Sequence, residues 1–306
     1  MKAVRVHRFG GPDVVVVEEL PIPAPGPGEL LVRVAATGVG PWDALIREGK
    51  SKVSPPPPLT LGSDLSGAVE AAGAGVSDFK VGDRVYGVTN PQFCGANAEY
   101  ALASAAMMAR KPRRLSHVEA ASVPVVAVTA WQMLFDHAQA AAGQRILVLG
   151  AAGNVGGYAV QLAARSGLHI IATARRKDTE YVRSLGAETV IDFETGRFED
   201  SVTPVDAVID TVGGETRDRS FRTLKPGGIL VSIVSDPLPK HPNVRAVFFY
   251  AEVTTARLNN ISRLFDGAEL VTEVGTVLPL ENARTAHEML AGAPHKRGKI
   301  VLSISG

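Results

Sequence analysis

The spacing of hydrophobic and polar positions changes character near residue 120. Before it, apolar residues come in short strand-like runs. Val4 and Val6 alternate with polar neighbours, and Val14 to Val17 and Leu30 to Val34 are further runs. Pro21, Pro23, Pro25 and Pro27 separate the last two, and Pro55 to Pro58 break the chain again. Proline at this density excludes long helices and predicts short strands joined by loops. After it, Ser116-His-Val-Glu119 has the form of a capping box before an alanine-rich helix, and Ala127 to Gln139 reads as a second helix. Strands at 146–149, 169–173, 189–192, 206–210 and 228–234 then follow, with helices at 156–166, 178–185 and 216–223 among them. Such alternation predicts a parallel sheet covered on both faces, an α/β architecture. Beyond about residue 265, Glu269 to Leu278 and Lys299 to Ser305 read as strands around one helix, Leu280 to Leu290. This β texture matches the first half. The expected organisation is 1–120 as a β-rich domain, 121–264 as the doubly wound domain and 265–306 as a return to the first.

The strand at 146–149 runs into a glycine-rich turn, Arg145-Ile-Leu-Val-Leu-Gly-Ala-Ala-Gly-Asn-Val-Gly-Gly157, and a helix follows. A glycine turn between strand and helix lets backbone N–H groups approach a pyrophosphate, and the helix dipole favours its charge. Gly153, Asn154, Val155 and Gly156 are therefore expected to bind a dinucleotide. In NAD sites an acid about 20 residues on, at the tip of the second strand, holds the ribose 2′-hydroxyl. Here that tip is Thr173-Ala-Arg-Arg-Lys177, without a carboxylate. Guanidinium groups bind a phosphate bidentately, so Thr173, Arg175, Arg176 and Lys177 point to NADPH. Two further strand ends supply Thr211 and Val212, and Ile233, Val234 and Ser235, as candidates to line the cofactor.

Composition narrows the function classes. The 306 residues are 45% hydrophobic and 21% charged, with a net charge of +1. This is no footprint for nucleic acid, and the basic run Arg110-Lys-Pro-Arg-Arg114 reads as a solvated turn. A single cysteine, Cys94, excludes an internal disulfide and a cysteine-rich zinc site. The seven histidines are scattered, with no ligand pair at helical spacing. The N-terminus lacks the apolar core of a signal peptide, and no apolar run reaches the ~18 residues of a membrane helix. A cytoplasmic protein without membrane partners is expected.

A series of segments resembles the zinc-independent quinone oxidoreductase branch of the medium-chain dehydrogenase/reductase superfamily. Gly38-Val-Gly-Pro-Trp-Asp-Ala-Leu-Ile-Arg-Glu-Gly49 is similar to the active-site segment. Leu61-Gly-Ser-Asp-Leu-Ser-Gly-Ala-Val69 and Val81-Gly-Asp-Arg-Val-Tyr-Gly87 resemble the barrel core. Ala98-Glu-Tyr100, Val128-Thr-Ala-Trp131, Leu224-Lys-Pro-Gly-Gly228 and Arg297-Gly-Lys-Ile-Val301 complete the resemblance over essentially the whole chain. It implies a GroES-like β-rich catalytic domain wrapped around a Rossmann domain, with NADPH between them. By family position it places Pro41 and Thr129 by the cofactor, Phe248, Phe249 and Tyr250 over it from a loop, and Lys299 near it or at the domain seam. It also implies a homodimer formed through the edge of the Rossmann sheet.

Departures from the family are equally informative. Zinc-dependent relatives carry cysteine at the position of Gly40 and His-Glu at Ser63-Asp64. The quinone reductase branch often has Asn at Gly40 and Tyr at Phe193. With no metal expected, the acceptor must already be electrophilic, which a quinone or an enone is. Trp42 and Phe93 are candidate walls for a flat substrate, and Tyr250 is a weak candidate proton donor. Asp43 is expected to be a buried structural carboxylate and Cys94 an unactivated pocket residue. The competing expectations are a narrower alkenal-type reductase, a catalytically silent NADPH-binding sensor or partner protein, and a zinc alcohol dehydrogenase.

Overall fold

The computed structural model describes residues 1–234 and 238–304. The chain forms two units, one of Met1–Val125 with Glu252–Gly306 and one of Val126–Ala251. The first begins with β1 (Lys2–Val6), β2 (Val16–Glu19), β3 (Glu29–Val39), helix α1 (Pro41–Arg47), β4 (Leu59–Thr60), β5 (Asp64–Ala72), β6 (Arg84–Val88), β7 (Tyr100–Ser104), β8 (Met108–Arg110) and α2 (His117–Ala121). β3 is its spine, pairing antiparallel with both β5 and β7. Leu30, Val32, Val34, Leu65, Val69 and Val85 close one core. Val4, Val6, Val39, Ile46 and Leu59 build another under β1. The predicted capping box is present at α2: Glu119 N donates to Ser116 Oγ at 3.2 Å and Ser116 N donates to Glu119 Oε2 at 2.7 Å.

In the second unit, α3 (Pro124–Trp131) is prolonged by a wide helical turn, Gln132–His137. Then come β9 (Arg145–Leu149), α4 (Asn154–Arg165), β10 (His169–Ala174), α5 (Thr179–Ser184), β11 (Thr189–Asp192), α6 (Phe198–Ser201), β12 (Val205–Asp210), α7 (Gly214–Ser220), β13 (Leu224–Ser232) and β14 (Arg245–Phe248). Among the described residues the sheet order is β11-β10-β9-β12-β13-β14, and every pairing is parallel. In order of appearance this is 3-2-1-4-5-6, the dinucleotide-binding arrangement, with its reversal beside β9. Leu147, Leu149, Val208 and Leu230 pack with Phe198 and Phe221.

Several expectations need correction here. β13 starts at Leu224 rather than 228; its register shifts between Val205 and Ala207, so that Lys225-Pro-Gly-Gly228 lies opposite the single residue Asp206. It ends at Ser232, so Ile233 and Val234 lie in the loop beyond. Ser235 lies outside the described residues. β14 was not anticipated; its register pairs Ser232 with Phe248, which therefore ends a strand instead of sitting in a loop.

The return to the first unit also comes earlier than residue 265. It opens with α8 (Thr255–Asp266), followed by β15 (Val274–Pro279), α9 (Ala283–Leu290) and β16 (Lys299–Ser303). No element is expected at 255–266 from the sequence, and the boundary set near residue 265 leaves α8 in the other half. Its contacts settle the matter. Thr255 Oγ1 donates to Ala105 O at 3.1 Å and Met108 O at 2.8 Å, and Tyr86 Oη donates to Leu258 O at 2.8 Å. β16 then pairs antiparallel with β3, Ile300 opposite Val39. No helix among the described residues is long and apolar enough to cross a membrane.

Candidate functional site

In the second unit the site is built around the turn from β9 to α4. Gly153 caps α4 with extended backbone, and no side chain caps the helix. Asn154, Val155 and Gly156 form its first turn, whose N–H groups have no intrahelical acceptor. That turn carries no acid. Gly156 packs against the turn itself: a Cβ there would lie 2.2 Å from Gly150 O. The cradle thus has backbone donors, a favourable dipole and no side chain in the way, which fits a dinucleotide pyrophosphate.

Two of the candidate residues hydrogen-bond to the turn itself. Thr173 is buried; its Oγ1 accepts from Gly150 N at 3.3 Å and its carbonyl from Ala151 N at 3.1 Å. Thr211 Oγ1 donates to Leu149 O at 2.7 Å. Both hydroxyls brace the glycine turn. Asp210, which the sequence reading passed over, organises the neighbouring loop. Its fully buried carboxylate accepts from Val212 N at 3.0 Å, Gly213 N at 2.9 Å and Ser232 Oγ at 2.6 Å. An Asp before a Gly-Gly pair at a strand end is the available signal. Val212 is left exposed at the rim, as is Val234, whose N–H donates to Ser232 Oγ at 3.3 Å. Ile233 is half-buried, its N–H on Asp210 O at 3.3 Å.

At the tip of β10, Arg175, Arg176 and Lys177 are all exposed. Arg175 Nε lies 3.4 Å from Glu194 Oε1, an ion pair open to solvent on both sides. Arg176 and Lys177 have no partner among the described residues. Phe248 and Tyr250 meet edge to face with centroids 5.2 Å apart, and Phe249 packs on His137 at 4.2 Å. Tyr250 is 57% exposed. Thr129 is buried within α3.

In the first unit the active-site segment folds around one indole. Gly40 caps α1, Pro41 is its exposed first residue, and Trp42 turns its ring back over Gly40. A Cβ at residue 40 would lie 2.4 Å from that ring. Trp42 Nε1 donates to Ser63 Oγ at 2.9 Å. On the same ring sits the Lys299 ammonium, 4.0 Å from the centroid. Lys299 is 1% exposed and donates to Asp64 Oδ2 at 3.1 Å, while Asp64 Oδ1 accepts from Val125 N at 3.1 Å. Burial pushes the Asp64 carboxyl up, and Lys299 opposes that. Lys299, expected near the cofactor or at the domain seam, is buried here against Trp42 and Asp64.

Asp43 is wholly buried, and its Oδ2 accepts from Gly40 N at 2.8 Å. Burial raises its carboxyl to about 7, partly offset by the Gly40 N–H and Lys299. Phe93 and Cys94 pack on the same apolar cluster as Trp42. Burial pushes the Cys94 thiol up, so it is no activated nucleophile. Among the described residues no three His, Cys, Asp or Glu side chains gather as a metal-binding group.

Comparison with known proteins agrees with this geometry. Residues 26–113 match the model of the alcohol dehydrogenase GroES-like domain, and residues 185–302 that of the zinc-binding dehydrogenases. A quinone oxidoreductase of Sus scrofa is 31% identical over 322 aligned residues, covering 99% of this chain and 97% of the relative. The structure of the quinone oxidoreductase from Coxiella burnetii superposes with a TM-score of 0.90 at 32% identity, covering 100% of this chain and 99% of that one. A mycobacterial protein solved in complex with NADPH does so at 0.89 and 29% identity, covering 99% and 100%. A GroES-like unit joined to a Rossmann unit with a glycine-rich nucleotide turn defines the medium-chain dehydrogenases/reductases. Within that superfamily the chain belongs to the quinone oxidoreductase branch, and it is an oxidoreductase.

Proposed function

We propose that the protein is an NADPH-dependent, zinc-independent reductase acting on a quinone or an α,β-unsaturated carbonyl. The observation that carries this reading is the Trp42 indole. It fills the space over Gly40 and holds Ser63, two positions at which zinc-dependent relatives place ligands. The description of the matched dehydrogenase model speaks of zinc, but position 40 is a glycine covered by the Trp42 indole and position 63 a serine hydroxyl bonded to that indole. Catalytic zinc takes three protein ligands from His, Cys or carboxylate.

Bound NADPH would supply the hydride. The first turn of α4 would hold its pyrophosphate, and Arg175, Arg176 and Lys177 its 2′-phosphate. Trp42 and Phe93 offer flat apolar surface to a planar acceptor. An acceptor already conjugated to a carbonyl needs only positioning and a proton, and water can provide the latter. Tyr250 is held edge-on against Phe248, which favours packing over proton donation. For the working form we propose a cytoplasmic homodimer, because β14 leaves one side of the sheet unpaired among the described residues.

One observation favours a second reading, an NADPH-binding protein without turnover. The ionisable groups packed around Trp42 and Gly40, namely Asp43, Asp64 and Lys299, are all buried, and Asp64 and Lys299 are paired. A rate panel separates the two: NADPH and NADH, each against quinones, enones, enals and simple ketones, with and without 1,10-phenanthroline. The reductase reading expects NADPH oxidation by quinones or enones, unaffected by the chelator. Tight NADPH binding with no acceptor would establish the silent protein. Stoichiometric zinc whose removal abolishes turnover would establish a metal enzyme.

A further inference from the structure

The basic run at 110–114 ends in the expected solvated turn, with Arg110, Arg113 and Arg114 exposed, and it also borders a cleft. Together with β6 and α8 it lines a cleft of about 670 Å³, within the first unit. Arg84, Arg110, Lys111, Arg113 and Arg263 contribute five cations to its lining, against one carboxylate, Asp266. Arg110 is held by Asp78 O and Asp83, at 3.1 and 3.0 Å, and Arg113 by Asp266, whose Oδ1 accepts its N–H at 2.7 Å. Lys111 Nζ donates to the carbonyls of Pro112 and Leu115, and Arg263 to Asn260 Oδ1. Arg84 has no partner among the described residues. The polar floor is Ser262 Oγ, which shares a hydrogen bond with Tyr86 Oη at 2.9 Å.

Positive charge here exceeds what the cleft's own acids neutralise. Burial and then the neighbouring Arg84 push Lys111 down. Burial, Lys111 and Arg84 together hold His117, next to the cleft, at about 4. A surface that only needed solubility would disperse these charges or pair them. Arg110 and Arg113 are paired, but Arg84, Lys111 and Arg263 meet no carboxylate within ion-pair distance among the described residues, and all five border a concavity whose volume lies within the roughly 300–1,000 Å³ of small-molecule sites. Cations come from two directions, from the β6–β8 side and from α8, so a single small anion would meet only part of the set. Guanidinium groups on both walls suit phosphate oxygens, which they can bind bidentately.

We propose that this cleft is a binding site for a small molecule bearing two or more linked phosphate groups, separate from the nucleotide cradle of the second unit. It would anchor one end on Arg84 and the other on Arg263. The proposal is independent of the hydride-acceptor reading above.

The test is calorimetric titration of the full chain with inorganic tripolyphosphate in saturating NADPH, with orthophosphate and a short RNA as comparisons. Tripolyphosphate should bind one to one and more tightly than orthophosphate. Arg84→Gln with Arg263→Gln should weaken it by at least about tenfold, since each lost charged hydrogen bond is worth about that much. NADPH affinity and the thermal midpoint should not move. Arg84→Gln alone, which breaks no internal contact, decides the question if the double variant loses its fold. Absence of tripolyphosphate binding, unchanged affinity in Arg84→Gln and the double variant, or equal loss in Arg175→Ala/Arg176→Ala would each overturn the assignment. Tighter binding of RNA than of tripolyphosphate would overturn the small-molecule class.

Discussion

The indole of Trp42 occupies the volume that any side chain at Gly40 would need, with ring carbons 2.4 Å from an added Cβ. Residue 40 is glycine because residue 42 is tryptophan folded back over it. Gly40→Asn, which installs the residue common in this branch, should therefore displace the indole and break its bond to Ser63. Overpacking of this kind costs about 1–3 kcal/mol. Urea unfolding should register that loss, and indole fluorescence should shift as the ring becomes wetter. Adding Trp42→Ala to Gly40→Asn should recover part of the stability. A Gly40→Asn protein with unchanged midpoint and emission would show that the indole has another place to go.

Lys299 separates two roles by experiment. Its ammonium lies between Asp64 and the Trp42 ring, with neither ion of the pair open to water. Lys299→Met leaves Asp64 charged, buried and unpaired, which costs about 3–5 kcal/mol. Lys299→Met with Asp64→Asn should be more stable than Lys299→Met alone, since no uncompensated charge remains. In that double variant NADPH affinity should stay near wild type. A large loss of NADPH affinity in a folded double variant would restore Lys299 to the cofactor site.

The parts of the molecule legible in the sequence are those set by local rules. The β9 turn announces itself because strand, glycines and helix are contiguous, and the capping box at Ser116 and Glu119 is a spacing of three. Asp43 could be read as buried because its segment surrounds it with apolar residues. What stayed hidden depends on residues distant in the chain. Asp64 and Lys299 are 235 positions apart, and nothing near either names the other. The unit of α8 is decided by contacts with distant residues, Tyr86 on Leu258, Thr255 on Ala105 and Met108, and Arg113 on Asp266 among them. The bonds of the Thr173 and Thr211 hydroxyls to Gly150 N and Leu149 O likewise join residues from separate strands.

His287 makes stability depend on acid. Its ring is fully buried, and its Nδ1 lies 2.9 Å from Arg47 Nη1. Arg47 can only donate, so Nδ1 accepts and the ring is neutral; a second proton would face a guanidinium. Burial, then Arg47, hold the group at about 3, against 6.5 when exposed. The unfolded chain thus binds the proton first, and stability is lost as pH falls from about 6.5 towards 3. From pH 7 to pH 5 this group alone should remove about 2 kcal/mol. Asp43 acts the other way between about 4 and 7, because its folded form holds the proton. The comparison must therefore be made by difference. His287→Gln, which keeps an acceptor for Arg47, should flatten the acid limb by about 2 kcal/mol relative to wild type in urea titrations at the two pH values. Parallel limbs would mean that the ring is protonated in the fold.

The proposed preference for NADPH rests on the tip of β10, where three exposed cations stand in place of an acid. Each charged hydrogen bond to a phosphate is worth about 1.5–3 kcal/mol, so Arg175→Ala with Arg176→Ala should raise the Kd for NADPH by about 100-fold or more. NADH lacks the 2′-phosphate and should lose no more than about threefold. Glu194 refines the prediction. It lies 3.4 Å from Arg175 and competes with the phosphate for the same guanidinium. Because that pair is open to solvent it is worth at most about 1 kcal/mol, so Glu194→Gln should tighten NADPH by a few-fold at most and leave NADH unchanged. The two variants move NADPH affinity in opposite directions and both act on Arg175, which a general loss of folding would not do. Fluorescence titration of both nucleotides against wild type, Arg175→Ala/Arg176→Ala and Glu194→Gln reads this out. Equal losses for NADPH and NADH in the double variant would move the discriminating contact away from this strand tip.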